Sequence, residues 1–436
     1  MDSLSTPQHA LIAGVHRGCY TVRNRSHCYE AGRSGLDWLS MKALANCVML
    51  VMYGAVNAVG YAQCTDAAIQ QTQKQTAVAL SEYSTQIQLA RQAFLEIYDH
   101  GLLGNSGSLV NNKVARPPGM SIAVAVNGKV VWAEGVGLAD LEQCVPVTPK
   151  TKFRIGSTSK PLTSAGTALL YEQKRLDLDA PIQRYVPDFP DKGATITTRE
   201  LMGHLGGIRH YNADEGSKPD RGVYHSVAES LNRFKDDPLV APPGTKFSYS
   251  TYGYVLVSAA MEKASGEDFL SFMHDKVFVP LGMQDTLADE SAKIIPYRAR
   301  WYNVMADGSY RNSDYEDLSY KWAGGGFLST AEDLARFGSA MLKAGFLKEG
   351  TLAMIFSPQK TNSSKSTHYG LGWFIHAADS HGTPRQFEHS GGVAGSSSWL
   401  VLYPDQGVVI ACVENSDDFR DWPILRVAAP FFSTRK

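Results

Sequence analysis

The 436-residue sequence has almost no net charge: 42 Lys and Arg stand against 43 Asp and Glu, a balance of −1. Proteins that track phosphate backbones carry a clear basic excess, so nucleic acid is excluded as a partner. Cysteine is sparse and poorly spaced for metal. None of Cys19, Cys28, Cys47, Cys64, Cys144 and Cys412 forms a C-x-x-C pair, which removes zinc ribbons and thioredoxin-like redox motifs. A chain this long has no need of a disulfide framework, and the pairing of Cys144 and Cys412 is left open. There is no H-E-x-x-H; His204 and His210 read as fold residues in a loop, and no metal or cofactor is expected. No G-x-S-x-G is present, which excludes the usual α/β-hydrolase elbow. Nucleotide binding is excluded too: there is no P-loop, and Gly135-Val136-Gly137 follows a hairpin and runs into Asp140. A Pro/Gly/Ser-rich linker is also missing after residue 105. Length alone would suggest about three domains at roughly 150 residues each, but an unbroken chain argues for one or two.

What is present is enough to bury a core: 44% hydrophobic residues and 19% charged. The N-terminus differs from the rest. Residues 1–40 have no period and scatter Arg17, Arg23, Arg25 and Arg33 among His, Cys and Trp38. Met41-Lys42 then opens a nearly uncharged run, Ala43 to Ala62, ending in the small-residue pattern Gly60-Tyr61-Ala62 that a signal peptidase reads. The reading is a leader over 1–62, with Met41 as the true start, and an exported, periplasmic or secreted protein. The alternatives are an organelle-targeting peptide using the upstream arginines, hence a mitochondrial protein, and a membrane anchor over 43–62. About 20 residues can span a bilayer, although Asn46 and Asn57 weaken that span.

Residues 63–104 form a helical lead-in, with Ala77, Leu80, Ile87, Leu89, Phe94, Leu95 and Ile97 recurring at roughly helical spacing. From Met120 the period becomes two. Ser121 to Val126 and Lys129 to Ala133 flank Asn127-Gly128, a strong hairpin signal because a type I′ turn needs positive φ twice. Gly372 to Ile375, Trp399 to Tyr403 and Val408 to Val413 read as further strands, the last two joined by the turn Pro404-Asp405-Gln406-Gly407. Between them lie helices, clearest at Thr163–Lys174, Tyr254–Ala264 and Ala331–Leu342. The expectation is an α/β (α+β) domain over 105–436: one antiparallel sheet built from both ends of the chain, flanked by helices, with a helical subdomain inserted.

Three elements carry chemistry. Ser157 and Lys160, in Gly156-Ser157-Thr158-Ser159-Lys160, are followed by Pro161 and a helix carrying Leu162, Ala165, Leu169 and Leu170, and a Ser and a Lys three residues apart on a helix lie on the same face. An amine that loses its proton in a dry pocket can take the hydroxyl's proton. S-x-x-K alone is weak, and Ser357-Pro358-Gln359-Lys360 is a second copy in a polar, loop-like stretch. Next, Tyr249 in Phe247-Ser248-Tyr249-Ser250-Thr251 precedes an apolar helix. Such a tyrosine can serve as a phenolate base and then as an acid, or be simply a half-buried aromatic. Last, Glu388-His389-Ser390-Gly391-Gly392 is a Gly-rich segment where backbone can approach a ligand closely and offer an N–H; the bland alternative for His389 is packing.

In this order and spacing the elements resemble the serine β-lactamase and penicillin-binding superfamily, whose signature is S-x-x-K, a Tyr-Ser/Ala-Asn element and a K/H-T/S-G strand. The likeness is closest to the class C β-lactamase-related branch and, within it, to the mitochondrial serine β-lactamase-like proteins and their bacterial relatives. Pro118-Gly119, Gly135 to Asp140, Leu176 to Asp179, His204 to Tyr211 and Tyr320 to Thr330 share it, from about residue 115 to the C-terminus. The resemblance implies Ser157 as acylated nucleophile, Lys160 as its proton acceptor and Tyr249 as proton shuttle. His389 would position substrate or tune the tyrosine, Ser390, Gly391 and Thr251 would belong with it to the substrate-binding and oxyanion set, and the N–H groups of Ser157 and Gly392 would form an oxyanion hole. Thr251 stands where β-lactamases have Asn and lacks that residue's paired carbonyl and amide, which puts efficient β-lactam hydrolysis in doubt. The function implied is a serine hydrolase acting through an acyl-enzyme on a small peptide, ester or β-lactam, foremost a D,D-carboxypeptidase-like peptidase. Alternatives are a carboxylesterase or weak β-lactamase and, in another class, a non-catalytic assembly or scaffold protein; self-assembly is compatible with each.

Overall fold

The computed structural model of the chain describes residues 78–100, 116–217, 219–305, 307–380, 382–417 and 423–434. The leader readings of residues 1–62, and the lead-in up to Ala77, lie outside the described residues. Among the described residues no helix is long and apolar enough to cross a membrane.

The hairpin is the organising feature. Asn127 and Gly128 have φ of 50° and 89°, the two positive values a type I′ turn requires. They join β2 (Gly119–Val126) to β3 (Lys129–Asp140). On its other edge β2 pairs with β13 (Val408–Glu414), placing Ile122 opposite Cys412 and joining the two halves of the chain. The sheet continues through β12 (Ser396–Tyr403) and β11 (Gln386–Val393) to a short edge strand, β10 (Phe374–His376), antiparallel throughout. Beyond β3 come β1 (Val78–Ala79) and β4 (Val145–Pro146). The expected sheet from both chain ends is thus observed.

Its central strands are apolar on both faces because both are covered. Ala123, Ala133, Leu400, Leu402, Val409 and Ala411 point into the main core. Their alternates Ile122, Val124, Trp132, Val401, Ile410 and Cys412 point into a second. Helix α1 (Ser84–His100) covers this second face, with Phe94 edge-on to Trp132 at 6.0 Å and Arg91 Nε 2.9 Å from the buried Glu134 carboxylate. Leu89, expected in the core, is 54% exposed. Cys412 is a free buried thiol, whereas Cys144 is disulfide-bonded. The two do not pair, and the expectation of a chain without disulfides is corrected at Cys144.

The helical part lies against the main core. Helix α2 (Ser159–Glu172) begins four residues before the apolar period suggested, since Pro161 is tolerated in a first turn. Helix α3 (Thr251–Ser265) is capped by Ser250 Oγ, which accepts from Gly253 N at 2.9 Å, and ends at Gly266 with φ 68°. Helix α4 (Ala331–Leu342) lies on the sheet, close enough that a Cβ at Gly338 would meet Val409 Cγ1 at 2.6 Å. Two small sheets were not anticipated: β5 (Phe153–Arg154), β9 (Phe327–Ser329) and β6 (Leu287–Ala288) form one, and β7 (Tyr302–Val304) with β8 (Tyr310–Asn312) forms the other. Strands of two or three residues are too short to show a period.

Candidate active site

Strand β5 feeds a single 3₁₀ turn, Gly156–Thr158, that runs into α2. Gly156 has φ 47°, and a Cβ there would lie 2.8 to 3.0 Å from backbone atoms of Gly392. A Cβ on Gly391 would come within 2.0 Å of Ile155 O and 2.9 Å of Ser157 N. Both glycines are therefore required for the turn to lie directly on β11, which brings the backbone N–H of Ser157 beside Gly392. The turn is also tied down by hydroxyls. Ser398 Oγ donates to Ile155 O at 2.7 Å and lies 2.7 Å from Thr158 Oγ1, while Ser396 Oγ donates to Arg154 O at 2.9 Å.

Lys160, the second residue of α2, is fully buried. Its Nζ lies 3.0 Å from Ser157 Oγ, 3.2 Å from Thr251 Oγ1 and 2.7 Å from Gly324 O. None of these partners is a carboxylate. Burial, reinforced by the Lys321 charge, holds the amine well below the usual lysine range. A neutral amine has two hydrogens and one lone pair. Gly324 O must receive one hydrogen and Thr251 Oγ1 accepts the other, which leaves the lone pair for the Ser157 hydroxyl.

Tyr249 is half-buried, with its ring 4.7 Å from Lys160 Nζ and its hydroxyl in hydrogen-bond contact with Ser157. Burial pushes its phenol up, so it rests protonated. A resting phenolate base is thereby disfavoured, and proton donation is what this phenol can do. His389 is 1% exposed. Its Nδ1 donates to Ser390 O at 2.6 Å, which makes Nε2 the acceptor of the Tyr369 hydroxyl at 3.0 Å. Burial, with Lys160 nearby, lowers its pKa to about 3, so the ring is neutral. Neither nitrogen is free to meet a ligand. Ser390 is half-buried, Gly391 buried and Gly392 exposed.

Thr251 is turned toward Lys160 from the first turn of α3, and its N–H donates to His210 Nδ1 at 3.2 Å. His204 Nδ1 accepts from Ser250 N at 3.1 Å, and its ring packs 4.3 Å from Tyr249 and 4.7 Å from Tyr369. These histidines brace the site, as the reading of them as fold residues requires. The second S-x-x-K is on the surface: Ser357 and Lys360 are both exposed.

Ser157, Tyr249, Phe374, His389, Ser390 and Gly392 line a cleft of about 290 Å³. A larger depression of about 1070 Å³, by the Asn127-Gly128 turn and the end of α4, holds none of the motif residues. Sequence reasoning missed Gly324, Tyr369, Phe374, Thr158 and Ser398. Gly324 lay in a run noticed for its resemblance without a role, and Ser398 in the three-serine run before Trp399. Nothing local marked Tyr369.

Fold and site together define a serine hydrolase-like protein of the penicillin-binding and β-lactamase type. Comparison with known proteins agrees: the Beta-lactamase family profile matches residues 108–429, and the chain belongs to that family. It is 35% identical over 379 residues to the human "Serine beta-lactamase-like protein LACTB, mitochondrial", covering 66% of this chain and 69% of that one. It is 26% identical to "Penicillin-binding protein 4*" of Bacillus subtilis (strain 168), over 68% of each. Among solved structures, the octameric penicillin-binding protein homologue from Pyrococcus abyssi superposes with a TM-score of 0.61 at 25% identity, over 70% of this chain and 71% of that one.

Proposed function

We propose that the chain is a serine hydrolase that works through an acyl-enzyme on an amide or ester of peptide type. The observation that carries the reading is a buried lysine amine, without a carboxylate partner, 3.0 Å from a half-buried serine hydroxyl. A scaffold has no use for that arrangement, since burying an amine away from any anion costs stability.

In this reading Ser157 Oγ bonds to the carbonyl carbon while its proton passes to Lys160 Nζ, and the carbonyl electron pair moves onto oxygen. The N–H groups of Ser157 and Gly392 hold that oxyanion, each donor contributing about 3 kcal/mol. Collapse breaks the bond to the leaving nitrogen or oxygen, which takes its proton from Lys160 by way of the Tyr249 phenol. Water then adds to the acyl-enzyme and gives a proton back through Lys160, so that acid is released and Ser157 restored. Strand β10 pairs with β11 only at Gln386, Phe387 and Glu388. Among the described residues no strand covers the edge from His389 to Val393, so an extended substrate has backbone to pair with.

Likeness to a penicillin-binding protein supports acylation by β-lactams. Thr251, already engaged with Lys160, supports little turnover of them. The octameric archaeal relative supports self-association as well, which sedimentation of the purified chain would check. The main test is a fluorophosphonate or penicillin probe with peptide mass mapping. Label on Ser157 that is lost in Ser157→Ala is the expected result; a folded protein that no acylating probe labels sinks the proposal.

A further inference from the structure

The make-up of the cleft constrains what a substrate can place beside Ser157. None of its six lining residues carries a charge: the set is a serine nucleophile, two aromatic rings, a histidine, a second serine and a glycine. His389 is the one imidazole in that lining, on β11 two residues before Gly391. Its Nδ1 is spent on Ser390 O, its Nε2 faces the Tyr369 hydroxyl, and the ring is 1% exposed.

Basic groups among the described residues are committed as well. Lys160 has both its hydrogens directed at Thr251 and Gly324. Lys321 Nζ is 2.7 Å from Glu316 Oε1, both side chains under a tenth exposed, with the Tyr320 ring 4.9 Å away. Arg154 is paired with Asp289, Arg209 with Glu215 and Asp237, and Arg233 with Glu215 and Asp220. Among the described residues, a carboxylate placed beside the scissile bond would lose water and find the Tyr249 and Ser390 hydroxyls and backbone N–H groups, but no unpaired cation of the cleft wall, to replace it. A neutral leaving group meets no such penalty.

Resting on the acyl-enzyme reading above, we propose that the cleft selects substrates whose leaving group bears no free carboxylate next to the scissile bond: an internal peptide bond, a primary or substituted amide, or an ester. The carboxypeptidase type, in which the departing residue carries the chain's terminal carboxylate, is the member of the family range that this cleft disfavours.

The test is competition at Ser157 in the full-length protein. N-acyl dipeptides are prepared as free acids and as C-terminal amides, with identical acyl parts, and each pair is titrated for protection of Ser157 against a neutral fluorophosphonate. The amide is expected to protect at a concentration at least tenfold below that of the free acid. Equal protection, or better protection by the acid, overturns the inference. The same titration on Phe374→Lys, which adds a cation to the cleft wall, is expected to shrink the ratio; a ratio that does not move overturns the charge argument. The two levels fail differently. No label on Ser157 from any probe removes the acyl-enzyme reading itself, whereas labelling with preference for the acid removes only the leaving-group inference.

Discussion

The amine of Lys160 has two hydrogens when neutral, and Gly324 O at 2.7 Å with Thr251 Oγ1 at 3.2 Å are placed to take them. That geometry turns an ordinary lysine into a proton acceptor aimed at one hydroxyl. Lys160→Met keeps the bulk and removes the acceptor; labelling of Ser157 by a fluorophosphonate should slow by about 10²- to 10⁴-fold, with little change in thermal stability. Lys160→Arg should not rescue the rate, because a guanidinium does not give up its proton. A variant that labels at the parental rate would show that Lys160 is not the base. Much of this was legible in the sequence. Ser157, Lys160, Tyr249 and Thr251 lie in two short motifs, and spacing alone implies that the first two share a helix face. The hydrogen-bonding of His389 was not legible: its partner Tyr369 is 20 residues away in a loop, one of 20 tyrosines in the chain, and no local pattern joins them.

At the level of elements, the contact between β11 and the 3₁₀ turn of Gly156–Thr158 decides the site. Gly391 sits opposite Ser398 in the β11–β12 register, and a Cβ there would meet the Ile155 carbonyl at 2.0 Å, Ser398 Oγ at 2.7 Å and Ser157 N at 2.9 Å. Backbone cannot swing aside as a side chain can, so Gly391→Ala must push the turn off the strand. The expected outcome is loss of Ser157 labelling by at least tenfold, about 1.4 kcal/mol in the barrier, in a protein whose circular dichroism still matches the parent. Ser398→Ala is the milder probe. It removes the hydroxyl that holds Ile155 O and leaves Thr158 Oγ1 one partner fewer, at a cost of about 1–3 kcal/mol by urea unfolding. Labelling at the parental rate in Gly391→Ala would show that the close approach is irrelevant to acylation. The long strands and the main helices were legible because each spans several periods. The Gly-rich segment was legible as a strand only through the family resemblance, although Gln386–Val393 is one; its glycines hid the alternation, since a residue without a side chain leaves no mark on a hydrophobic pattern.

For the molecule as a whole, the near-zero net charge conceals buried groups that titrate far from their usual ranges. Burial lowers His389 to about 3 and His210 to about 4, and holds His204 well below the imidazole range. An unfolded chain binds a proton at each of these rings near pH 6.5, while the folded protein resists until more acid conditions. The unfolded state therefore holds more protons in that window, and stability falls as pH falls from about 6.5 toward 4. Each pKa unit corresponds to about 1.4 kcal/mol, so His210 alone gives up on the order of 3 kcal/mol by pH 4. Asp333 works in the opposite direction. Burial raises its carboxyl to about 6 from 3.8, so the folded state binds that proton first and gains stability between pH 6 and about 4. Glu200 and Glu262, raised by burial, and His376, raised by its hydrogen bond to Glu388, work the same way as Asp333; the three deeply buried histidines outweigh these smaller opposing shifts, and the net slope is toward acid instability. Glu215 and Glu316 are held below the usual carboxylate range by hydrogen bonds and ion pairs with Arg209 and Lys321, so their contribution is lost later, at more acid pH. Urea midpoints measured at pH 7, 6, 5 and 4 should decline monotonically, with most of the loss below pH 6. His210→Gln, which keeps a polar side chain at that position, should flatten the decline relative to the parent. A midpoint that holds steady or rises down to pH 4 would mean that the buried rings can take up protons in the folded state, and with them the neutral cleft on which substrate selection depends would be lost.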